Sequence, residues 1–185
     1  MKGRCQRQIL PTLRLLWPLI LPLMLVACSQ PLGGDFTSLN SRYTDQQPAL
    51  SGDGKLLAFI TDRAGRQELV VYNLEQRQFV PLPGLNQGNG VIESPSLSRT
   101  GRYIVYLSSR RGRPEIELYD RFTRNIDILT IGYPGWVRHP RIDPDGRYIT
   151  FESAQKGQWD IEIFDRGQGV ELDLAPGTSI SPPLP

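Results

Sequence analysis

The sequence is poor in the residues that build disulfides and metal sites. Its 185 residues include two cysteines, Cys5 and Cys28, and a single histidine, His139. The chain beyond Cys28 therefore has no thiol for a disulfide and too few thiol and imidazole ligands for a zinc site. We expect packing to stabilise the folded part, and we predict no metal and no cofactor.

The sequence also lacks an apolar run long enough to cross a membrane as a helix. The longest run, residues 15–27, has 13 residues and contains two prolines, whereas a spanning helix needs about 20 apolar residues. Four basic residues and no acidic residue accompany it: Lys2, Arg4, Arg7 and Arg14. This layout is typical of a secretory signal peptide, which we assign to residues 1–27.

The predicted signal ends in Leu25-Val26-Ala27-Cys28, which resembles the lipobox of bacterial lipoproteins. In that family the signal is cleaved before the cysteine, so the resemblance implies lipidation of Cys28 and anchoring of the mature chain to a bilayer. Ser29 stands where an aspartate would imply inner-membrane retention. The expected location is the bacterial cell envelope, at the outer membrane and facing the periplasm. An ordinary signal peptide followed by an incidental cysteine is the alternative.

The basic excess of the chain belongs to this targeting segment. The whole sequence has 21 basic and 19 acidic side chains, and removal of the signal leaves 17 basic against 19 acidic, a balance of −2. A phosphate-binding surface needs clustered Lys and Arg, so we predict no nucleic-acid partner. Residues 28–46 are mostly polar and are predicted to form a tether, with at most one short strand at 36–39.

Three segments of the remaining chain repeat one another. Residues 48–54, 95–101 and 140–146 each run from a proline to a glycine, with the prolines 47 and 45 residues apart. At the same distances beyond that glycine, each copy has an aromatic residue, a second glycine, a second aromatic residue and a leucine. These are Phe59, Gly65, Tyr72 and Leu82; Tyr106, Gly112, Tyr119 and Leu129; and Phe151, Gly157, Phe164 and Leu174. The shared offsets without a gap indicate tandem structural repeats.

Each repeat predicts antiparallel strands. Residues 56–61, 103–108 and 148–153 follow a turn and are rich in β-branched and aromatic side chains. Residues 115–118 and 160–163 alternate between acidic and aliphatic side chains, as half-buried strands do. A fourth short strand is predicted near 79–80, 127–129 and 171–173. Four antiparallel strands in about 45 residues are typical of a β-propeller blade, so we predict an all-β chain.

Two stretches of the repeat carry a family resemblance. Residues 140–151, PRIDPDGRYITF, and 108–120, SSRRGRPEIELYD, resemble the WD40-like repeat of the TolB propeller family. The match is weakest at Arg99-Thr100 and at Glu152. The resemblance implies three four-stranded antiparallel blades at about 47–84, 94–131 and 139–176, within a propeller region of residues 47–185. It also implies a non-catalytic scaffold that binds another protein of the cell envelope.

The candidate partner-binding residues are those that the repeat does not explain. Interface anchors are enriched in Trp, Tyr and Arg, and a cluster of arginines can dock an acidic partner. Two tryptophans have no counterpart in the other copies, a loop between the second and third blades is rich in large side chains, and one hairpin is basic. The candidates are Trp136, Tyr133, Arg138, His139, Trp159, Arg110 and Arg111.

We predict no catalytic residue. His139 occupies the repeat position of Gln47 and Ser94, where nothing requires a titratable group, and no serine lies in a Gly-x-Ser-x-Gly frame. Two alternatives remain open. The chain could be an accessory propeller of a peptidase system, because propellers of this family also precede serine peptidase domains, or it could bind a glycan or small ligand through Trp136 or Trp159.

Three blades are fewer than the four to eight of closed propellers, so we expect an exposed apolar sheet face at each end. A homodimer around a two-fold axis would cover both faces and complete a six-bladed ring. The rival arrangement is an open arc that caps itself with residues 36–39 and the proline-rich tail, or that takes a different partner.

Overall fold

The structure is a computed structural model that describes residues 39–178, and the statements below refer to that part of the chain. It consists of strands and connecting turns, without a helix, and so without a helix able to span a membrane. The strands are β1 (Asp45–Leu50), β2 (Leu56–Thr61), β3 (Glu68–Asn73), β4 (Gln78–Val80), β5 (Ile92–Leu97), β6 (Tyr103–Ser108), β7 (Glu115–Asp120), β8 (Ile126–Ile128), β9 (Val137–Ile142), β10 (Tyr148–Ser153) and β11 (Asp160–Asp165).

The strands form three antiparallel sheets, which confirms the all-β fold class. Blade 1 has the order β1-β2-β3-β4, blade 2 has β5-β6-β7-β8, and blade 3 has β9-β10-β11. β5 packs against β1 and β2, and β9 packs against β5, β6 and β7, so the blades stack in chain order. We name the face that a blade turns to the preceding blade its leading face, and the face that it turns to the following blade its trailing face.

The repeated turn explains why each second strand begins where the sequence predicts. Its glycine adopts a positive φ, a backbone conformation that glycine reaches without steric cost. The φ values are 70° at Gly54, 69° at Gly101 and 81° at Gly146. In each copy a side-chain oxygen at the start of the turn accepts a hydrogen bond from the first amide of the strand. The pairs are Ser51 with Leu56, Ser98 with Tyr103 and Asp143 with Tyr148, at 2.8–2.9 Å.

The first strand of each blade is irregular at one shared position. The register shifts between Gln46 and Ala49, between Glu93 and Ser96, and opposite Thr150 and Glu152. The residue at this β-bulge has a positive φ of 51–54°, and it is Gln47, Ser94 or His139. What the three repeats share at the position of His139 is therefore the bulge in the backbone, not the type of side chain.

Blade 3 lacks the fourth strand predicted at residues 171–173. This segment leaves its own sheet and crosses to blade 2, where the Tyr103 hydroxyl donates to the Glu171 carbonyl at 2.6 Å. The Asp173 amide donates to the Asp145 carbonyl at 2.8 Å. β11 consequently pairs only with β10 among the described strands.

Asp173 gives the physical reason for this departure. Its buried carboxylate accepts hydrogen bonds from the Ser98 hydroxyl at 2.6 Å and from the amide and hydroxyl of Thr100 at 2.8 and 2.6 Å. Pro81 and Ile128 occupy the corresponding positions of blades 1 and 2. A carboxylate that satisfies three donors at the loop rim is held there more strongly than a three-residue edge strand would hold it.

The hydrophobic core has two parts, one at each junction between blades. The trailing face of blade 1 meets the leading face of blade 2, and the trailing face of blade 2 meets the leading face of blade 3. The first cluster includes Ile60, Leu69, Val71, Ile92, Ile104, Tyr106 and Tyr119. The second includes Val105, Leu107, Ile116, Leu118, Val137, Ile149 and Phe151. The blades thus bury large side chains against one another, as expected for stacked sheets.

Candidate functional site

The trailing face of blade 3 has no blade against it in the described part of the chain. Its side chains form cross-strand rows, because residues directly opposite each other in neighbouring strands share one face of the sheet. One row runs Arg138, Glu152, Ile161, and the next runs Arg141, Thr150, Ile163. Tyr148 and Asp165 form a third row.

The outer part of this face is aliphatic and exposed. Ile161 is 71% exposed and Ile163 is 67% exposed. The same two positions are fully buried in the other blades, where they are Leu69 and Val71 in blade 1 and Ile116 and Leu118 in blade 2. Because the residue type is kept while no blade covers this face among residues 39–178, the strip is an apolar surface without a partner in the described part of the chain.

The inner part of the same face is charged. Glu152 replaces Ile60 and Leu107 of the other blades, and Thr150 replaces Ala58 and Val105. The two Glu152 carboxylate oxygens are bound separately, one by Arg138 Nε at 2.6 Å and the other by His139 Nδ1 at 3.0 Å. These hydrogen bonds, from His139 and from Arg138, lower the pKa of Glu152.

Three predicted partner-binding residues come together here. The Arg138 guanidinium lies over the Trp159 ring, 3.8 Å from its centroid, while it binds Glu152. His139 binds the same carboxylate from the neighbouring position. Arg138, His139 and Trp159 are therefore parts of one charged and aromatic cluster on the trailing face of blade 3.

A groove of about 450 Å³ lies beside this cluster. It is lined by His139, Arg141, Thr150, Phe151, Glu152 and Ile161. Arg141 donates a hydrogen bond to the carbonyl of its own neighbour Pro140 at 2.9 Å and makes no ion pair with a described residue. The groove combines a cation that lacks a carboxylate partner, a hydroxyl and an aliphatic wall.

Two of the other candidates have structural roles. The Tyr133 hydroxyl lies 2.9 Å from that of Ser153, and its ring packs edge-on against Phe151 with centroids 5.8 Å apart. The Arg110 side chain is mostly buried, donates to the carbonyl of Leu85, and lies 3.6 Å from the Glu117 carboxylate. Both residues hold blade junctions or linkers in place.

Arg111 and Trp136 are exposed and lie apart from the Glu152 cluster. Arg111 makes only a loose contact of 3.5 Å with Glu115. Trp136 directly precedes β9 and its carbonyl accepts a hydrogen bond from the Ala154 amide. Within residues 39–178, no hydrogen bond, ion pair or ring contact joins either side chain to Glu152, and a binding role for them stays a prediction.

At the opposite end of the stack, the leading face of blade 1 buries its aromatic side chains. Phe59 and Tyr72 are only 3% and 7% exposed although no blade precedes them in the described part of the chain. The Phe79 ring packs against both, with centroids 6.2 Å and 5.1 Å away. The Arg63 guanidinium lies over Phe59 and Phe79. The expectation of two exposed ends is therefore wrong at this end.

Polar contacts complete the cover of blade 1. The fully buried Arg63 side chain binds Asp45 at 2.7 Å and donates to the Leu39 carbonyl at 2.6 Å. Asp45 stands where blades 2 and 3 carry the buried apolar residues Ile92 and Val137. Leu39 belongs to the predicted tether and is its first described residue, so the tether contacts blade 1 through this hydrogen bond. Residues 36–38 and Cys28 lie outside the described residues.

The residues that the sequence analysis missed are Arg141, Ile161 and Ile163. The repeat carries a signal for the two isoleucines, because their counterparts in the other copies are buried, and Arg141 stands where the other copies have Ala49 and Ser96. Comparing copies for polarity, and not only for similarity, would have shown that the inner strands of blade 3 are charged. No cluster of three or more potential metal ligands occurs among residues 39–178.

Comparison with known proteins identifies solved structures that share this fold. No protein-family model and no curated protein matches the chain. Among solved structures, TolB from Acinetobacter baumannii is similar, with 27% identity and a TM-score of 0.58 over 71% of this chain and 32% of that one. A putative TolB from Agrobacterium tumefaciens is similar with 20% identity and a TM-score of 0.53, over 75% of this chain and 51% of that one.

A puromycin-hydrolysing peptidase of Mycobacterium tuberculosis shares the fold, with 17% identity and a TM-score of 0.50, over 76% of this chain and 22% of that one. The chain thus spans about a third of one TolB structure that it matches and about half of the other. It has a TolB-like β-propeller fold, and its described residues form a partial propeller of three blades.

Proposed function

We propose that this chain is a lipid-anchored scaffold of the bacterial cell envelope that binds another protein and does not catalyse a reaction. The observation that carries the proposal is the trailing face of blade 3, which keeps aliphatic residues exposed where blades 1 and 2 bury them. The similarity to TolB supports a propeller that serves as a scaffold. An exposed apolar face with a charged border is typical of a protein-binding surface.

The anchor and the location rest on the amino-terminal sequence. A basic segment, a short apolar run and the lipobox-like Leu25–Cys28 support export, cleavage before Cys28 and attachment of lipid to its thiol. Ser29 favours the outer membrane, and the chain would face the periplasm. Residues between Cys28 and β1 would then link the lipid to the blades.

Metabolic labelling tests the anchor. Cells that express the full chain are fed a clickable fatty acid, and the purified protein is examined for label and for its mature amino terminus. We expect label on the wild type and none on Cys28→Ser. Label on Cys28→Ser, or an unlabelled wild type cleaved elsewhere, would contradict lipidation of Cys28.

Cross-linking in intact cells, followed by mass spectrometry of the tagged full chain, tests protein binding. We expect a defined envelope protein to be linked to the wild type, with cross-linked positions that map to blade 3. A tagged periplasmic protein of similar size, expressed at the same level, controls for random encounter. Cross-links to no protein, or only to copies of the chain itself, would contradict a scaffold that binds another protein.

The rival functions have less support in the described residues. The homodimer would need the leading face of blade 1, which Phe79 and Arg63 already cover. The peptidase similarity concerns the fold alone. A glycan platform on Trp159 would have to share that ring with the Arg138 guanidinium, 3.8 Å away.

A further inference from the structure

We propose that the trailing face of blade 3 docks a protein segment that presents a carboxylate and an aliphatic side chain about 10 Å apart. The carboxylate would lie over Arg141 on β9, and the aliphatic group over Ile161 and Ile163 on β11. The inference rests on the proposed function in one respect, namely that the ligand is a protein. It adds where that protein binds and what its contact residues must be.

The outer half of the face selects the aliphatic group. Ile161 and Ile163 stand next to each other on one side of β11, and both are more than two-thirds exposed. Tyr148 and Trp159, which are also exposed, border them. Covering such a strip with an apolar side chain removes apolar surface from water on both partners, and this is the main favourable contribution to association.

The inner half of the face selects the carboxylate. The two guanidinium groups of Arg138 and Arg141 face a single carboxylate, Glu152, so the arginines of the inner half outnumber its acids. Both Glu152 oxygens are already bound, whereas Arg141 has no carboxylate partner among the described residues. A partner acid would therefore bind Arg141 without breaking an existing ion pair, and a partner lysine would be repelled.

The spacing follows from the sheet. Arg141 lies on β9 and Ile163 on β11, with Thr150 of β10 between them in the same row. Neighbouring strands are about 4.8 Å apart, so the two contact points are about 10 Å apart. The groove of about 450 Å³ beside Ile161 lies between them and is large enough to admit a side chain.

Another blade is a poor occupant of this face. The leading face of a blade is apolar, as Ile104 and Tyr106 of blade 2 show. Burying the Arg138–Glu152 ion pair beneath such a face would remove both charges from water, a cost that their attraction often does not repay. In a second copy of this chain, moreover, the leading face of blade 1 is covered by Phe79 and Arg63.

Peptide selection tests the proposed chemistry. The probe is a displayed library of random dodecapeptides, selected on the purified full chain in detergent and counter-selected on its Ile163→Asp variant. We expect the enriched peptides to share an Asp or Glu and an aliphatic residue at a constant separation. Ile163→Asp should weaken the best peptide at least about tenfold. Ile131→Asp, at an isoleucine that is 62% exposed outside this face, should leave its binding unchanged.

A charge exchange then tests the role of Arg141. Arg141→Glu should weaken the selected peptide about tenfold at low salt, and a peptide with its acid changed to Lys should regain binding to that variant. Arg77→Glu, at an exposed arginine of the blade 1 hairpin, is the control and should have no effect. Selected peptides without an acid, or equal binding to wild type and Arg141→Glu, would overturn the proposal.

Three further outcomes distinguish a second copy of the chain from another protein as the occupant, and distinguish failure of this site from failure of the proposed function. Dimerisation of the full chain that Ile163→Asp abolishes would identify a second copy as the occupant and overturn the proposal. A successful charge exchange without any envelope partner in intact cells would uphold the chemistry of the face while the proposed function fails. A cross-linked envelope protein that binds Ile163→Asp and wild type equally would uphold the function and overturn this site.

Discussion

The two ends of the blade stack are built from the same repeat, but their outer faces differ in how far their apolar side chains are exposed to solvent. At the leading end, Phe59 and Tyr72 are covered by Phe79 and the buried Arg63. At the trailing end, Ile161 and Ile163 remain exposed and no ring or guanidinium covers them among the described residues. Terminal units of a repeat array need an outer face that tolerates water, and among the described residues such a cover is seen at the leading end and not at the trailing end.

The difference between the two ends shows that a few residue changes within the repeat decide whether an end face is covered or exposed. Asp45 in place of Ile92 or Val137 gives Arg63 a partner, and this ion pair lies over the aromatic cover of blade 1. At the other end, Glu152 and Thr150 make the inner strands polar while β11 stays aliphatic. One end is thus closed on itself, and the other combines charge with exposed apolar surface, as binding faces do.

The largest difference in the free energy of unfolding is expected when aspartate is introduced at equivalent positions of blades 2 and 3. Leu118→Asp places a charge in the buried junction between blades 2 and 3 and should destabilise the chain by about 4 kcal/mol or more. Ile163→Asp, at the same position of blade 3, should change stability by less than about 0.5 kcal/mol. Urea unfolding followed by circular dichroism measures both. Equal destabilisation would show that the trailing face is covered.

The cover of the leading end should be sensitive to Arg63. Arg63→Ala removes a fully buried guanidinium and leaves Asp45 without its ion pair, which should cost about 3 kcal/mol. Arg147→Ala at the trailing end removes a more exposed partner of Asp165 and should cost less than about 1 kcal/mol. Thermal and urea unfolding compare the two. A larger loss for Arg147→Ala would reverse the assignment of closed and open ends.

A smaller effect is expected where the chain beyond β11 crosses to blade 2. Asp173→Ala leaves the Ser98 and Thr100 donors without their acceptor, at a cost of about 1–3 kcal/mol. Asp127→Ala, at an exposed acid of β8, is the matched control and should be nearly neutral. If Asp173→Ala is equally neutral in urea unfolding, the crossing segment does not hold the rim.

The smallest expected effect is the loss of stability at acid pH. It compares two ion pairs at equivalent positions of the repeat, Arg102–Asp120 in blade 2 and Arg147–Asp165 in blade 3. Burial alone would raise the pKa of Asp120, but hydrogen bonds from Arg102 and from the Phe122 amide outweigh it and lower that pKa. Hydrogen bonds from Arg147 and the Gly167 amide lower the pKa of Asp165 to about 2.

Since both pKa values lie below the ordinary value near 4, each pair stabilises the fold above that pH. This stabilisation is lost as the pH falls through the folded-state pKa, toward about 2 for Asp165. Carboxyl-carbon NMR titration measures both groups. We expect Arg147→Ala to raise the pKa of Asp165 toward the ordinary range, with the Gly167 amide still lowering it, and to leave the pKa of Asp120 unchanged. An unshifted pKa of Asp165 in the wild type would contradict the pairing.

The sequence was sufficient to predict strands whose formation depends on residues close to one another in the chain. β2, β6 and β10 cover the predicted residues 56–61, 103–108 and 148–153, because alternation and the turn glycine act within a few positions. The sequence was insufficient where distant residues compete. The predicted strand at 171–173 is absent because the partners of Asp173, Ser98 and Thr100, lie more than 70 residues away.

The candidate site shows the same limit. Arg138, His139 and Trp159 were predicted as partner-binding residues, but their meeting at Glu152 depends on the register of β9, β10 and β11. Tyr133 and Arg110 are predicted from a loop rich in large side chains and from a basic hairpin, whereas in the structure their hydrogen bonds hold parts of the fold together. Residue type alone does not distinguish an exposed anchor from a buried one: Arg110 and Arg111 are neighbours on one hairpin, yet the first side chain is mostly buried and the second is exposed.

Methyl NMR of the isoleucines in the presence of a soluble paramagnetic agent reports whether the trailing face of blade 3 is open to solvent. The methyl groups of Ile161 and Ile163 should relax strongly, whereas those of Ile60 and Ile116, at blade junctions, should be protected. Addition of a selected acidic peptide should then protect Ile161 and Ile163. Equal protection of all four isoleucines without peptide would show that the trailing end is closed, and would contradict the account.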